Sequence, residues 1–104
     1  MSDLTGKTAI VTGAGQGVGQ GIALALAAAG AAVVVAGRTL EKVETTAEAI
    51  RSRGGQALAL ACNVKDAGDL AAMIEQTVGR FGGLDILVNN AQEVPLGKLQ
   101  EVSD

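Results

Sequence analysis

The residues best placed for chemistry are four glycines at alternate positions, Gly13, Gly15, Gly17 and Gly19, directly after the apolar run Ala9-Ile10-Val11. Glycine suits a backbone that takes positive φ or lets another group approach it closely. Where a strand turns into a helix, the first helical N–H groups lack partners and the dipole end is positive, so the turn accepts a phosphate. The spacing narrows the choice. The common dinucleotide fingerprint G-x-G-x-x-G fails, because from Gly15 its third glycine falls on Gln20. Gly6-Lys7-Thr8 imitates the end of a P-loop, yet Met1 stands where the first glycine belongs and the segment precedes a strand. Further polar residues, Arg38, Asn63 and Asn89-Asn90, stand just after three later apolar runs. The remaining catalytic repertoire is thin. The chain has no histidine and no tyrosine, and Ser2, Ser52 and Ser103 have no base beside them. Neither a catalytic set nor a metal site is expected.

These positions need elements to hold them. Ala9-Ile10-Val11 reads as a short buried strand, followed by a helix with Val18, Ile22, Leu26 and Ala29 on one stripe and Gly30 as its stop. Residues 31–36 form a second strand around Val33-Val34-Val35. Leu40, Val43, Ala47 and Ile50 line a second helix whose other face carries Glu41, Lys42, Glu44 and Glu48. Residues 57–61 are a third strand, Asp66 caps a third helix with Asp69 in a capping-box-like place, and Leu70, Ile74, Val78 and Phe81 make its stripe. Residues 84–88 are a fourth strand, entered through Asp85, which reads as a cap on that entry. The tail, 89–104, is loop-like up to a helix start near Ser103. Strands alternating with helices, each strand continuously apolar, imply an α/β fold with helices on both sheet faces. The expectation is a Rossmann-type doubly wound parallel sheet of four strands, order 3-2-1-4, with three intervening helices. No repeat or linker divides it, so residues 1–104 read as one incomplete domain whose fourth strand lacks an outer neighbour and invites association.

Thr12-Gly13-Ala14-Gly15-Gln16-Gly17-Val18-Gly19 resembles the TGxxxGxG cofactor motif of the short-chain dehydrogenase/reductase family. Asn89-Asn90-Ala91-Gln92 is similar to that family's NNAG motif after the fourth strand, with Gln92 in place of glycine. The resemblance covers essentially the whole chain but only the N-terminal portion of the family's domain. It implies NAD(H) or NADP(H) and interconversion of an alcohol and a carbonyl substrate by hydride transfer. It implies that Gly13, Gly17 and Gly19, with the backbone of Gln16 and Val18, surround the pyrophosphate. Asn63-Val64 stands where the family has an Asp and an apolar residue for the adenine; an Asn carbonyl still accepts the amino N–H, without charge assistance. Asn63 also reads as a plain turn residue. Asn90 and Ala91 would lie beside the adenosine ribose, with Asn89 bracing the strand ends. An NAD site wants a carboxylate after the second strand. Here Gly37-Arg38 stands there, leaving room and offering a planar cation to a 2′-phosphate, so NADP(H) is favoured over NAD(H). The family's Ser, Tyr-x-x-x-Lys and further Asn lie later in its sequence and are not among these residues. The chain alone is therefore expected to bind cofactor without turnover.

Composition bounds the alternatives. A net charge of −3 with no basic cluster argues against nucleic acid. The single cysteine, Cys62, precludes an internal disulfide, reads as a small buried thiol and suits a reducing compartment. No charge occurs between Lys7 and Arg38, and Gly13/Gly17 and Gly17/Gly21 have GxxxG spacing, but Gln16, Gln20 and Gly30 argue against a membrane span. The start carries no signal-peptide pattern, so the cytoplasm is expected. The resemblance implies a homo-oligomer for the full-length form. Two other classes fit the glycine turn: a non-catalytic nucleotide-binding or redox-sensing module, and an S-adenosylmethionine-dependent methyltransferase half. The latter wants an acidic residue where Arg38 stands.

Overall fold

The computed structural model describes residues 4–90. Ala91, Gln92 and the helix start near Ser103 lie outside the described residues. Seven elements alternate: β1 (Thr8–Thr12), α1 (Gly17–Ala28), β2 (Ala32–Gly37), α2 (Leu40–Ser52), β3 (Ala57–Ala61), α3 (Ala67–Phe81) and β4 (Ile86–Val88). They form one parallel sheet in the order β3-β2-β1-β4, as the alternation implied. The apparently membrane-compatible stretch from Lys7 to Arg38 is two strands and a 12-residue helix. Among the described residues no helix is long and apolar enough to cross a membrane.

Side chains of a strand alternate between faces, and both faces of this sheet are packed. Val11, Val33 and Val35 face Ala23 of α1 and Val43, Ala47 and Ile50 of α2. Ile10, Val34 and Ala36 face the other way, with Cys62 and Met73 of α3. The register sets Thr12 beside Ala36, Gly37 beside Ala61 and Val11 beside Val88. The C-terminal ends of all four strands therefore line one edge.

The helix stripes need correction. On α1, Gly19 and Ala23 are buried, while Val18 is 71% exposed. A helix approaching a sheet this closely makes contact through its smallest residues, so the stripe of larger side chains flanks the contact instead of forming it. On α2, Leu40 is 49% exposed and Thr46 is fully buried. On α3, Met73 and Thr77 are buried, with Leu70 and Phe81 partly so, whereas Ile74 and Val78 lie exposed. The α3 start is as read: Asp69 N–H donates to Asp66 Oδ1 at 3.0 Å. Asp69 does not complete a capping box. Its carboxylate instead accepts from Asn63 N–H at 2.9 Å and holds the end of β3.

The fourth strand is shorter than the apolar run. Asp85 precedes it and clamps it to β1: Thr8 N–H donates to Asp85 Oδ2 and Asp85 N–H donates to Thr8 O, both at 2.9 Å.

Candidate functional site

At the C-terminal edge of the sheet, β1 ends in Thr12 and the chain turns through 13–16 into α1. Gly13 and Gly17 take φ of +63° and +62°, a region in which side chains other than glycine are strained. A Cβ on Gly17 would meet nothing within 4 Å, so its absence widens the space in front of the helix. Gly19 has a different reason. A Cβ there would overlap the Gly13 carbonyl oxygen and lie 2.7 Å from Asn90 Nδ2. Gly15 serves packing as well, since its Cβ would sit 2.8 Å from that of Lys42 on α2. Gln16 is the N-cap of α1 in extended backbone, its side chain makes no capping bond, and the first turn holds no acidic residue. The helix start therefore presents unpaired N–H groups and a positive dipole end, suited to an anion.

The turn is held from three sides. Ala14 N–H donates to Ala36 O at 3.2 Å, joining it to β2. Thr46 Oγ1 donates to Ala14 O at 2.8 Å and accepts from Gln20 Nε2 at 3.2 Å, joining it to α2. Thr12 Oγ1 donates to Asn89 Oδ1 at 3.0 Å and accepts from Asn90 N–H at 2.9 Å, which ties the ends of β1 and β4. Asn89 thus braces the strand ends, the role that the resemblance implied.

A pocket of about 540 Å³ opens over this turn. Of the cofactor-binding residues read from the sequence, Gly13, Gln16, Gly17, Val18, Arg38 and Asn90 line it, together with Gly15 and Gly37. Gly19 lies buried behind it against Gly13 and Asn90. Asn63 and Val64 are not in its lining. Asn63 follows β3 on the same sheet edge, with Oδ1 accepting from Lys65 N–H at 3.0 Å in a local turn. Val64 packs on the α3-side core. Ala91 lies outside the described residues.

Sequence reasoning missed Lys42 and Thr39 in the lining, and Thr46 beneath it. Lys42 was assigned to the solvent face of α2, yet its Nζ donates to Gln16 Oε1 at 3.2 Å. A signal was present: Lys42 and Thr46 are four apart, so they share a face one step round the helix from Val43 and Ala47. Among the described residues the charged lining is Arg38 and Lys42, both cations. The buried Cys62 nearby is held as a thiol: burial pushes its pKa up, and the Asp69 and Asp66 carboxylates add to this.

A parallel sheet in this order, with a glycine turn and an anion-ready helix start at its strand ends, is the nucleotide-binding architecture of Rossmann-type proteins. The particular family follows from comparison. The pattern described as short chain dehydrogenase matches residues 7–104, and the chain belongs to this family of oxidoreductases. It is 41% identical to hydroxysteroid dehydrogenase-like protein 2 of Xenopus laevis, over 96% of this chain and 26% of that protein. Its structure resembles a hydroxysteroid dehydrogenase from Escherichia coli (TM-score 0.84, 36% identity), covering 94% of this chain and 45% of that one. A short-chain type dehydrogenase/reductase from Mycobacterium marinum aligns with a TM-score of 0.79 and 37% identity, over 96% of this chain and 44% of the other. The chain thus spans less than half the length of these relatives.

Proposed function

We propose that this chain is the cofactor-holding portion of an oxidoreductase that interconverts alcohols and carbonyls, and that its cofactor is NADP(H). The carrying observation is that six residues singled out for a dinucleotide line one pocket at the start of α1. In this reading Gly13, Gly17 and Gly19, with the N–H groups of Gln16 and Val18, receive the pyrophosphate. Arg38 binds the 2′-phosphate, Asn63 and Val64 border the adenine, and Asn90 and Ala91 adjoin the ribose. The fit rests on the donor set: main-chain N–H groups, the cations Arg38 and Lys42 in the lining, and open space where Gly17 lacks a Cβ. When bound, the nicotinamide supplies or accepts the hydride. The residues of this chain bind and orient the cofactor; a tyrosine or histidine for the accompanying proton is not among them. The relatives named dehydrogenases support the alcohol/carbonyl class. The reading extends to a homo-oligomer in the cytoplasm for the full-length protein.

Calorimetric titration with NADPH, NADH and S-adenosylmethionine tests it. NADPH is expected to bind at least about tenfold tighter than NADH, the worth of one charge-assisted contact. Equal affinities would remove the NADP(H) assignment. Binding of S-adenosylmethionine alone would replace the oxidoreductase reading with the methyltransferase one.

A further inference from the structure

The pocket holds a second cation that the sequence placed in solvent. Lys42 stands in the first turn of α2, lines the same pocket as Arg38, and donates from Nζ to Gln16 Oε1 at 3.2 Å. Its stem is seated, because Lys42 Cβ packs so closely on Gly15 that a methyl there would sit 2.8 Å away. A seated stem with an exposed head confines the ammonium to an arc over the pocket mouth. Its present partner is a neutral amide, and a phosphate dianion attracts an ammonium more strongly. Among the described residues the lining holds no carboxylate to compete for it. We propose that Lys42 is a selectivity residue for adenosine 2′-phosphate: its ammonium leaves Gln16 for the phosphate while Arg38 takes the same group with its planar fork. The Lys42–Gln16 bond is then a latch between α2 and the N-cap of α1, exchanged for a ligand contact when a 2′-phosphate arrives. This inference rests on the NADP(H) reading.

The test uses adenosine 2′,5′-bisphosphate and ADP as probes, titrated calorimetrically into the parent chain, Lys42→Met and Lys42→Arg, with circular dichroism confirming the fold of each. Methionine keeps the apolar stem, and arginine keeps the charge. Lys42→Met is expected to weaken the bisphosphate about tenfold and leave ADP within about twofold, with Lys42→Arg close to parent. The bisphosphate loss should shrink as salt is raised. Equal losses for both probes, or loss of fold in Lys42→Met with Lys42→Arg also failing to bind, would reduce Lys42 to a structural strut and overturn the proposal. So would a parent that prefers the bisphosphate together with a Lys42→Met variant that keeps this preference; that outcome leaves the NADP(H) reading standing. A parent with equal affinity for NADPH and NADH would remove the NADP(H) reading and this inference with it.

Discussion

Single atoms decide much at this site. Two glycines of α1 differ in what a methyl group would meet. At Gly19 it overlaps the Gly13 carbonyl, so Gly19→Ala is expected to cost about 1–3 kcal/mol by overpacking. At Gly21, exposed and with nothing within 4 Å, the same change is expected to gain about 0.5–1 kcal/mol from helix propensity. Thermal unfolding of the two variants checks the pair; two losses of similar size would show that the helix resists alanine for some other reason. Cys62 has a pH signature. Folding raises its pKa through burial and the Asp69 and Asp66 charges, so above the ordinary thiol range the unfolded chain ionises first. Stability from this group is intact at neutral pH and falls as pH climbs through that range. Cys62→Ala should flatten the alkaline limb of a stability–pH curve measured by urea unfolding. An unchanged limb would assign the loss to other groups.

Between elements, the joint that matters is α2 against the glycine turn. Thr46 is fully buried and bonds Ala14 O and Gln20 Nε2 at once. Thr46→Val keeps the shape and leaves two polar groups unpaired, an expected cost of about 1–3 kcal/mol. Nucleotide affinity should fall with it, because the turn loses its tie to α2; unchanged melting temperature and affinity would show the tie to be idle. The strands were legible in the sequence because buried parallel strands are continuous apolar runs, as in Val33-Val34-Val35. The helix faces were only half legible. Periodicity favours large side chains such as Val18, Ile74 and Val78, whereas the contacts with the sheet run through Gly19, Ala23, Met73 and Thr77. The glycine turn was legible because few residues tolerate its φ values. Lys42 was not, since a lysine among glutamates on a helix reads as solvent-facing until the neighbouring loop is in place.

At the scale of the molecule, the feature to test is the β4 side of the sheet. Among the described residues β4 pairs only with β1, and Leu87 in its middle is 54% exposed. An apolar edge of this kind recruits other strands. The chain is expected to self-associate, and Leu87→Lys to shift sedimentation-velocity profiles toward monomer with little change in melting temperature. Unaltered profiles would place the sticky surface elsewhere, with exposed Ile74 and Val78 next to be tested.

The clamp between Thr8 and Asp85 joins residues 77 positions apart. During synthesis, β1 leaves the ribosome long before its second neighbour exists. At ordinary elongation speeds the interval is on the order of 4–15 s. For that time the nascent chain carries a central strand paired on one side only.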